Sequence, residues 1–290
     1  MRDFIHLSTH SIYSRCYSTA TVEDIVDKAV SLGMPGVALT DKANMMGVMV
    51  FFQYCKKINA ARHSNFKPII GCELNLRQSE SSDLMSQITV LAKNRTGYEN
   101  LLKIMNDSCK DTCFHTAFTI PMMLEQHGQG LIVLAGNLEG GIQDGASQNR
   151  IEEAEEILQW CKQIWGDDFY LEIQRHPAEQ GWNQDIIEKE KQANAAILDL
   201  ASKYGVNIVA ANHWRFIEPS DAKAAEAFAK HTSGIMDKPR LSGQEWLKSQ
   251  DEMLALFEDV PEAIDNTMEI FEKCEYYDIC SEMAVPAFPL

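Results

Sequence analysis

The sequence predicts an α/β fold: a closed parallel barrel of seven strand-helix units with additional C-terminal helices. Three observations predict it. Short apolar runs alternate with helical patterns along most of the chain, the runs are near-continuous, and seven of them occur. Near-continuous runs belong to parallel strands covered on both faces, and seven such units suit a closed sheet better than an open one. A doubly wound open sheet is the alternative.

The elements follow in order. Residues 3–8 read as a first strand, and residues 21–32 as a helix. In that helix Thr21 caps, Asp24 stands at the capping-box spacing, Val22, Ile25, Val26, Ala29 and Val30 share one face, and Gly33 ends it. A buried strand over Gly36–Thr40 precedes a helix at about 47–58, then strands at 68–75 and 87–92. Helices at about 97–108, 150–165 and 184–204 are interleaved with strands at 130–135, 169–173 and 206–211. Residues 217–275 read as all-helical, with Pro261 in a first turn, and are expected on the barrel's outside. Polar stretches Arg77–Ser86 and Asn137–Asn149 read as loops.

The chain has 290 residues, 45% apolar and 23% charged, which excludes a disordered or fibrous protein. No apolar run approaches the roughly 18 residues of a membrane span. The opening residues lack a leader's apolar stretch, so a cytoplasmic protein without membrane contact is expected. Eight scattered cysteines, without a Cys-x-x-Cys pair, read as free thiols. The formal charge is −16, and the excess is confined to residues 151–290, where 28 acidic residues face 12 basic ones. Such a surface repels phosphate backbones, so the chain is not expected to grip DNA by itself.

In a parallel barrel the chemistry sits at the C-terminal ends of the strands. The polar residues there are Ser8, His10, Asp41, Lys42, Glu73, Asn137, Asn212, His213 and Arg215. A polynuclear metal site needs several imidazole or carboxylate ligands. Of these residues, His10, Asp41, Glu73 and His213 qualify, while Lys42 and Arg215 are cations facing any metal at a cost of several kcal/mol. His10 and His213 read first as hydrogen-bonded structural histidines, then as residual ligands, then as catalytic groups. Glu73 reads first as the partner of a cation such as Lys42 or Arg215. Cys109, Cys113 and His115 have a zinc-like spacing but no evident fourth ligand. The Met45-Met46 and Met122-Met123 pairs read as core filler. No phosphate-cradling glycine loop or nucleophile elbow occurs.

Several segments carry a family resemblance when taken together. They are Phe4 to Ser14, Leu32 to Asp41, Asn44 with Gly47, Lys67 to Glu73, Leu91 to Asn94, Gly97-Tyr98 with Asn100-Leu101, and Gly130 to Leu134. Phe169 to Glu172, Val209 to Phe216, Pro261 to Thr267 and Pro286 to Pro289 continue the series. In this order they resemble the PHP (polymerase and histidinol phosphatase) domain family, as it stands in bacterial DNA polymerase III alpha subunits of proteobacterial type. The resemblance covers nearly the whole chain. It implies a distorted barrel of seven βα units over about residues 1–215 and a helical extension over about 217–275. Together these make one PHP domain over 1–275, and 276–290 would lead toward a polymerase palm domain absent from this chain.

The resemblance also implies where metal ligands stand in active members, and this chain departs from most of them. The paired histidines of the first motif are Ser8 and His10, the acidic residue after them is Tyr17, and the histidine after Thr-Asp is Lys42. Glu73 keeps its type. A histidine opening the fourth strand is matched by Gln87, the following cysteine by Asn137, and the final Asp-x-His by His213 and Arg215. The nine positions therefore read as a vestigial site with no catalytic residue, no bound metal and no cofactor. Zinc or manganese would be implied only if the site were active.

Three functions remain to be weighed. The first is a non-catalytic PHP domain that stabilises a replicative polymerase and docks its proofreading exonuclease subunit, with DNA reached only through the full-length chain. In that case the nucleotidyltransferase active site lies outside this fragment. The second is an active metal-dependent PHP phosphoesterase or 3′–5′ exonuclease, and the third a free-standing binding module.

Overall fold

The computed structural model describes residues 3–14, 17–77, 85–109, 117–136, 140–142, 151–177, 184–231 and 241–280. Among these residues the fold is mixed α/β, a curled six-stranded sheet flanked by nine helices. The strands are β1 (Gly36–Leu39), β2 (Lys67–Arg77), β3 (Met85–Ala92), β4 (Leu131–Ala135), β5 (Phe169–Gln174) and β6 (Asn207–Ala211). They lie side by side in sequence order. The helices are α1 (Val22–Ser31), α2 (Val48–Arg62), α3 (Arg95–Cys109), α4 (Pro121–His127), α5 (Ile151–Trp165), α6 (Gln184–Tyr204), α7 (Ala222–His231), α8 (Gln250–Leu256) and α9 (Pro261–Lys273).

Two expectations about the sheet are corrected. Residues 3–8 do not form a strand, so six strands stand where seven were expected. The segment bends at Leu7 and Ser8 but occupies a strand's place between β1 and the run after β6. The Ala38 amide donates to the His6 carbonyl at 3.0 Å, the Thr40 amide to the Thr9 carbonyl at 2.9 Å, and Thr9 bridges Trp214 in parallel. No regular ladder forms because side chains take its backbone groups. Gln250 Oε1 accepts from the Phe4 amide at 3.0 Å and Thr40 Oγ1 from the Thr9 amide at 2.8 Å.

The pairing is also not all parallel. β1–β2, β4–β5 and β5–β6 are parallel, whereas β3 runs antiparallel to both β2 and β4. A parallel return needs a crossover of a dozen or more residues, and only seven, 78–84, separate β2 from β3.

The helix predicted over 21–32 forms as α1 with its full capping box, Thr21 accepting from the Asp24 amide and Asp24 from the Thr21 amide. α4 was not anticipated; Pro121 starts it. Its Met122 is exposed and Met123 half-buried, while Met46 is exposed and Met45 half-buried; of the two pairs, Met45 packs against the main core and the exposed Met46 and Met122 fill none of it. Residues 217–275 are not all helical: residues 241–249 form no helix, and Trp246 bridges Phe216. Nor does α9 lie only outside. Its Ile270 joins Cys274 in an inner cluster with Ile5, Leu7, Ala38, Ile69, Leu91, Ile132, Leu134, Tyr170 and Val209, so it plugs one end of the curled sheet. The outer faces of the strands, including Ile70, Cys72, Leu74, Val90, Val133, Leu171 and Ile208, pack against the helices.

Strand alternation explains what fills the other end. Successive side chains point to opposite faces. The inward row that begins with Ile69 therefore continues through Glu73 and Asn75, and the row that begins with Tyr170 through Glu172 and Gln174. The inside of the sheet thus changes from apolar to polar along the strands.

Candidate functional site

His10, Glu73 and His213 meet at the polar end, all buried, with one potential ligand atom from each lying within 4.8 Å of the others. His10 Nε2 is 3.2 Å from His213 Nε2, and each is 3.5 Å from Glu73 Oε2. His10 lies on the extended N-terminal segment and Glu73 on the inward row of β2. His213 follows β6 in a left-handed conformation, φ 44°, which is unusual for a residue with a side chain.

The Lys42 ammonium stands 3.8 Å from Glu73 Oε1, donates to the Tyr17 hydroxyl at 2.7 Å and lies 4.0 Å from that ring's centre. Arg215 places its guanidinium carbon 4.2 Å from the Tyr17 ring centre. Tyr17 therefore carries two cations on its π-system, an attraction that strengthens away from water. Burial pushes the Glu73 carboxyl up, but the His10 imidazole, the Lys42 ammonium and the His213 imidazole outweigh it and hold Glu73 well below the usual carboxylate range.

Asp41, expected as a candidate ligand, is turned elsewhere. It accepts from the Ser11 amide at 2.7 Å, the Ser11 hydroxyl at 2.8 Å and the Ser14 hydroxyl at 2.7 Å, and it is outside the three-residue cluster. Ser8 Oγ donates to Glu172 Oε2 at 2.6 Å. Gln87 faces Asn75 across the β2–β3 pair. The Asn212 amide donates to the Trp246 carbonyl at 2.6 Å. Asn137, Cys113 and His115 lie outside the described residues, and Cys109 is exposed at the end of α3.

Sequence reasoning missed two groups. Glu172 and Gln174 point into the site, with Gln174 Nε2 donating to Glu172 Oε1 at 2.8 Å and standing 3.3 Å from His213 Nδ1. Burial, the largest influence, raises the Glu172 carboxyl despite the bonds from Ser8 and Gln174. Two polar residues at period two inside an otherwise apolar strand were the available signal. His176 is the other omission. Its Nδ1 donates to Glu190 at 2.6 Å and its Nε2 to the Asn212 carbonyl at 2.7 Å, so it braces the loop that carries His213. Burial pushes its imidazole down, but Glu190 outweighs burial and the net shift is upward.

Two imidazoles and a carboxylate are a donor set that zinc or manganese accepts, and both Glu73 oxygens are buried without a hydrogen-bond partner. The described residues therefore fit one cation, held by His10, Glu73 and His213. They do not fit a cluster of ions, because Asp41 is spent on serine hydroxyls and Lys42 already faces Glu73.

Residues 6–176 match the PHP domain model, and the chain belongs to the PHP domain family. It is similar to DNA polymerase III subunit alpha of Borreliella burgdorferi, 34% identical over 289 residues, which is 95% of this chain and 24% of that protein. The same subunit of Vibrio cholerae is 31% identical over 99% of this chain and 24% of its own length. The chain thus spans about a quarter of the length of these relatives. Among solved structures it is similar to a protein from Bifidobacterium adolescentis described as a metal-dependent phosphoesterase, with 14% identity, a TM-score of 0.42, and coverage of 88% of this chain and 94% of that one.

Proposed function

We propose that this chain is the PHP domain of a bacterial replicative DNA polymerase alpha subunit and that it is not itself a phosphoesterase. In this reading it stabilises the polymerase and docks the proofreading exonuclease subunit in the cytoplasm. The observation that carries the non-catalytic part is the Lys42 ammonium, 3.8 Å from Glu73, standing where the family resemblance implies a metal-binding histidine. One side-chain cation meets the carboxylate's charge there, and too few donors remain for the clustered ions that would activate water. The similarity to polymerase alpha subunits over nearly the whole chain supports the parent protein. DNA would be met only through the longer protein, since this chain carries a net charge of −16.

Calorimetry with the isolated exonuclease subunit tests the docking role: saturable binding supports it, and no heat at high concentration removes it. A second reading, an active single-metal phosphoesterase, is favoured by the convergence of His10, Glu73 and His213. Zinc- or manganese-dependent hydrolysis of a phosphodiester that is lost in His213→Ala would establish it.

A further inference from the structure

The hydrogen bonds around the two histidines determine which ring nitrogen of each carries its proton. The Ser14 hydroxyl has one hydrogen, donated to Asp41 Oδ1 at 2.7 Å, while the Lys42 amide donates to Ser14 Oγ at 2.9 Å. Ser14 Oγ can therefore only accept from His10 Nδ1, 3.1 Å away. His10 carries its proton on Nδ1 and turns a lone pair at Nε2 toward His213. On the other side, the Gln174 amide gives one hydrogen to Glu172 Oε1 at 2.8 Å and has its second directed at His213 Nδ1, 3.3 Å away. His213 Nδ1 therefore accepts, and its proton sits on Nε2. That N–H faces the His10 lone pair at 3.2 Å and Glu73 Oε2 at 3.5 Å.

A histidine that ligates a metal through Nε2 normally donates its other N–H to a carboxylate, carbonyl or water. His213 meets the opposite arrangement, an amide donor. We propose that Gln174 is a positioning residue that holds His213 with its N–H toward the site, so that the histidine pair is closed by an internal hydrogen bond and resists divalent cations. This deepens the non-catalytic reading and rests on it. Glu172 and Ser8 belong to the device: Ser8 Oγ fixes the Glu172 carboxylate, and Glu172 fixes the face Gln174 presents.

Long-range proton–nitrogen spectra of the nitrogen-labelled chain at neutral pH test the assignment directly. The expected result is His10 protonated at Nδ1 and His213 at Nε2; a His213 protonated at Nδ1 overturns the proposal. Gln174→Glu replaces the donor by an acceptor and should tighten zinc binding, titrated calorimetrically, by about 10–100-fold. Equal affinity in the variant and the unchanged chain also overturns it. Should the variant not fold, the spectra of the unchanged chain still decide. Metal-dependent phosphodiester hydrolysis by the unchanged chain would instead sink the non-catalytic reading, and that assay is read independently of the tautomers.

Discussion

At the residue scale, burial decides which charges this fold tolerates. His6 is buried, donates Nε2–H to the Lys248 carbonyl at 2.9 Å, and is pushed by burial from 6.5 down to about 4. Between those values the unfolded chain binds a proton that the folded chain refuses. Stability is therefore present above about pH 6.5 and lost as pH falls toward 4, by about 3 kcal/mol in all. Urea unfolding as a function of pH should show this slope, and His6→Gln should flatten it. Glu73 has the opposite chemistry, a carboxyl held low, so its contribution persists above the ordinary carboxylate range and is lost only as pH falls below it. Lys42→Met, which removes its nearest ammonium, should cost about 3–5 kcal/mol of stability in denaturant titrations, as loss of one partner of a buried pair does. His10, Lys42, Glu73, His213 and Arg215 were legible as a convergent rim because each follows or ends an apolar run. Glu172, Gln174 and His176 were not, because the site was sought only beyond the strand ends and these act from within β5 or through a hydrogen bond.

At the element scale, local rules held where neighbours did not compete. The α1 cap is an example, since its carboxylate is exposed, its hydroxyl half-buried, and both bond at the helix terminus. The sheet was misread where neighbours decide. The shortness of the loop between the two runs was visible in the sequence, but its antiparallel consequence was overridden by the near-continuous apolar character of both runs. The N-terminal segment has a strand's composition, yet Gln250 and Thr40, distant in sequence, take its amides. Close packing is strictest at one glycine. A Cβ at Gly97, in the first turn of α3, would collide with the Gly130 carbonyl just before β4. Gly97→Ala should therefore destabilise the chain by about 1–3 kcal/mol, read as a lowered midpoint in thermal unfolding, although alanine is the better helix former.

At the scale of the whole molecule, the curled sheet keeps one end apolar and plugged by α9 and the other polar and lined by the histidine pair. This division follows from strand alternation alone, and the barrel-like architecture was legible from the number and spacing of apolar runs. That α9 enters the inner cluster was not, because its amphipathic pattern would suit the outer surface equally. No described helix is long and apolar enough to cross a membrane. The central claim is that internal hydrogen bonds and the Lys42 ammonium hold this site together in the role that clustered metal ions play in active family members. Metal analysis of the chain after dialysis from excess zinc and manganese, without chelator, tests it most directly. The account predicts less than one ion retained per chain, on the order set by a single weak three-ligand pocket; retention of two or three ions per chain would contradict it.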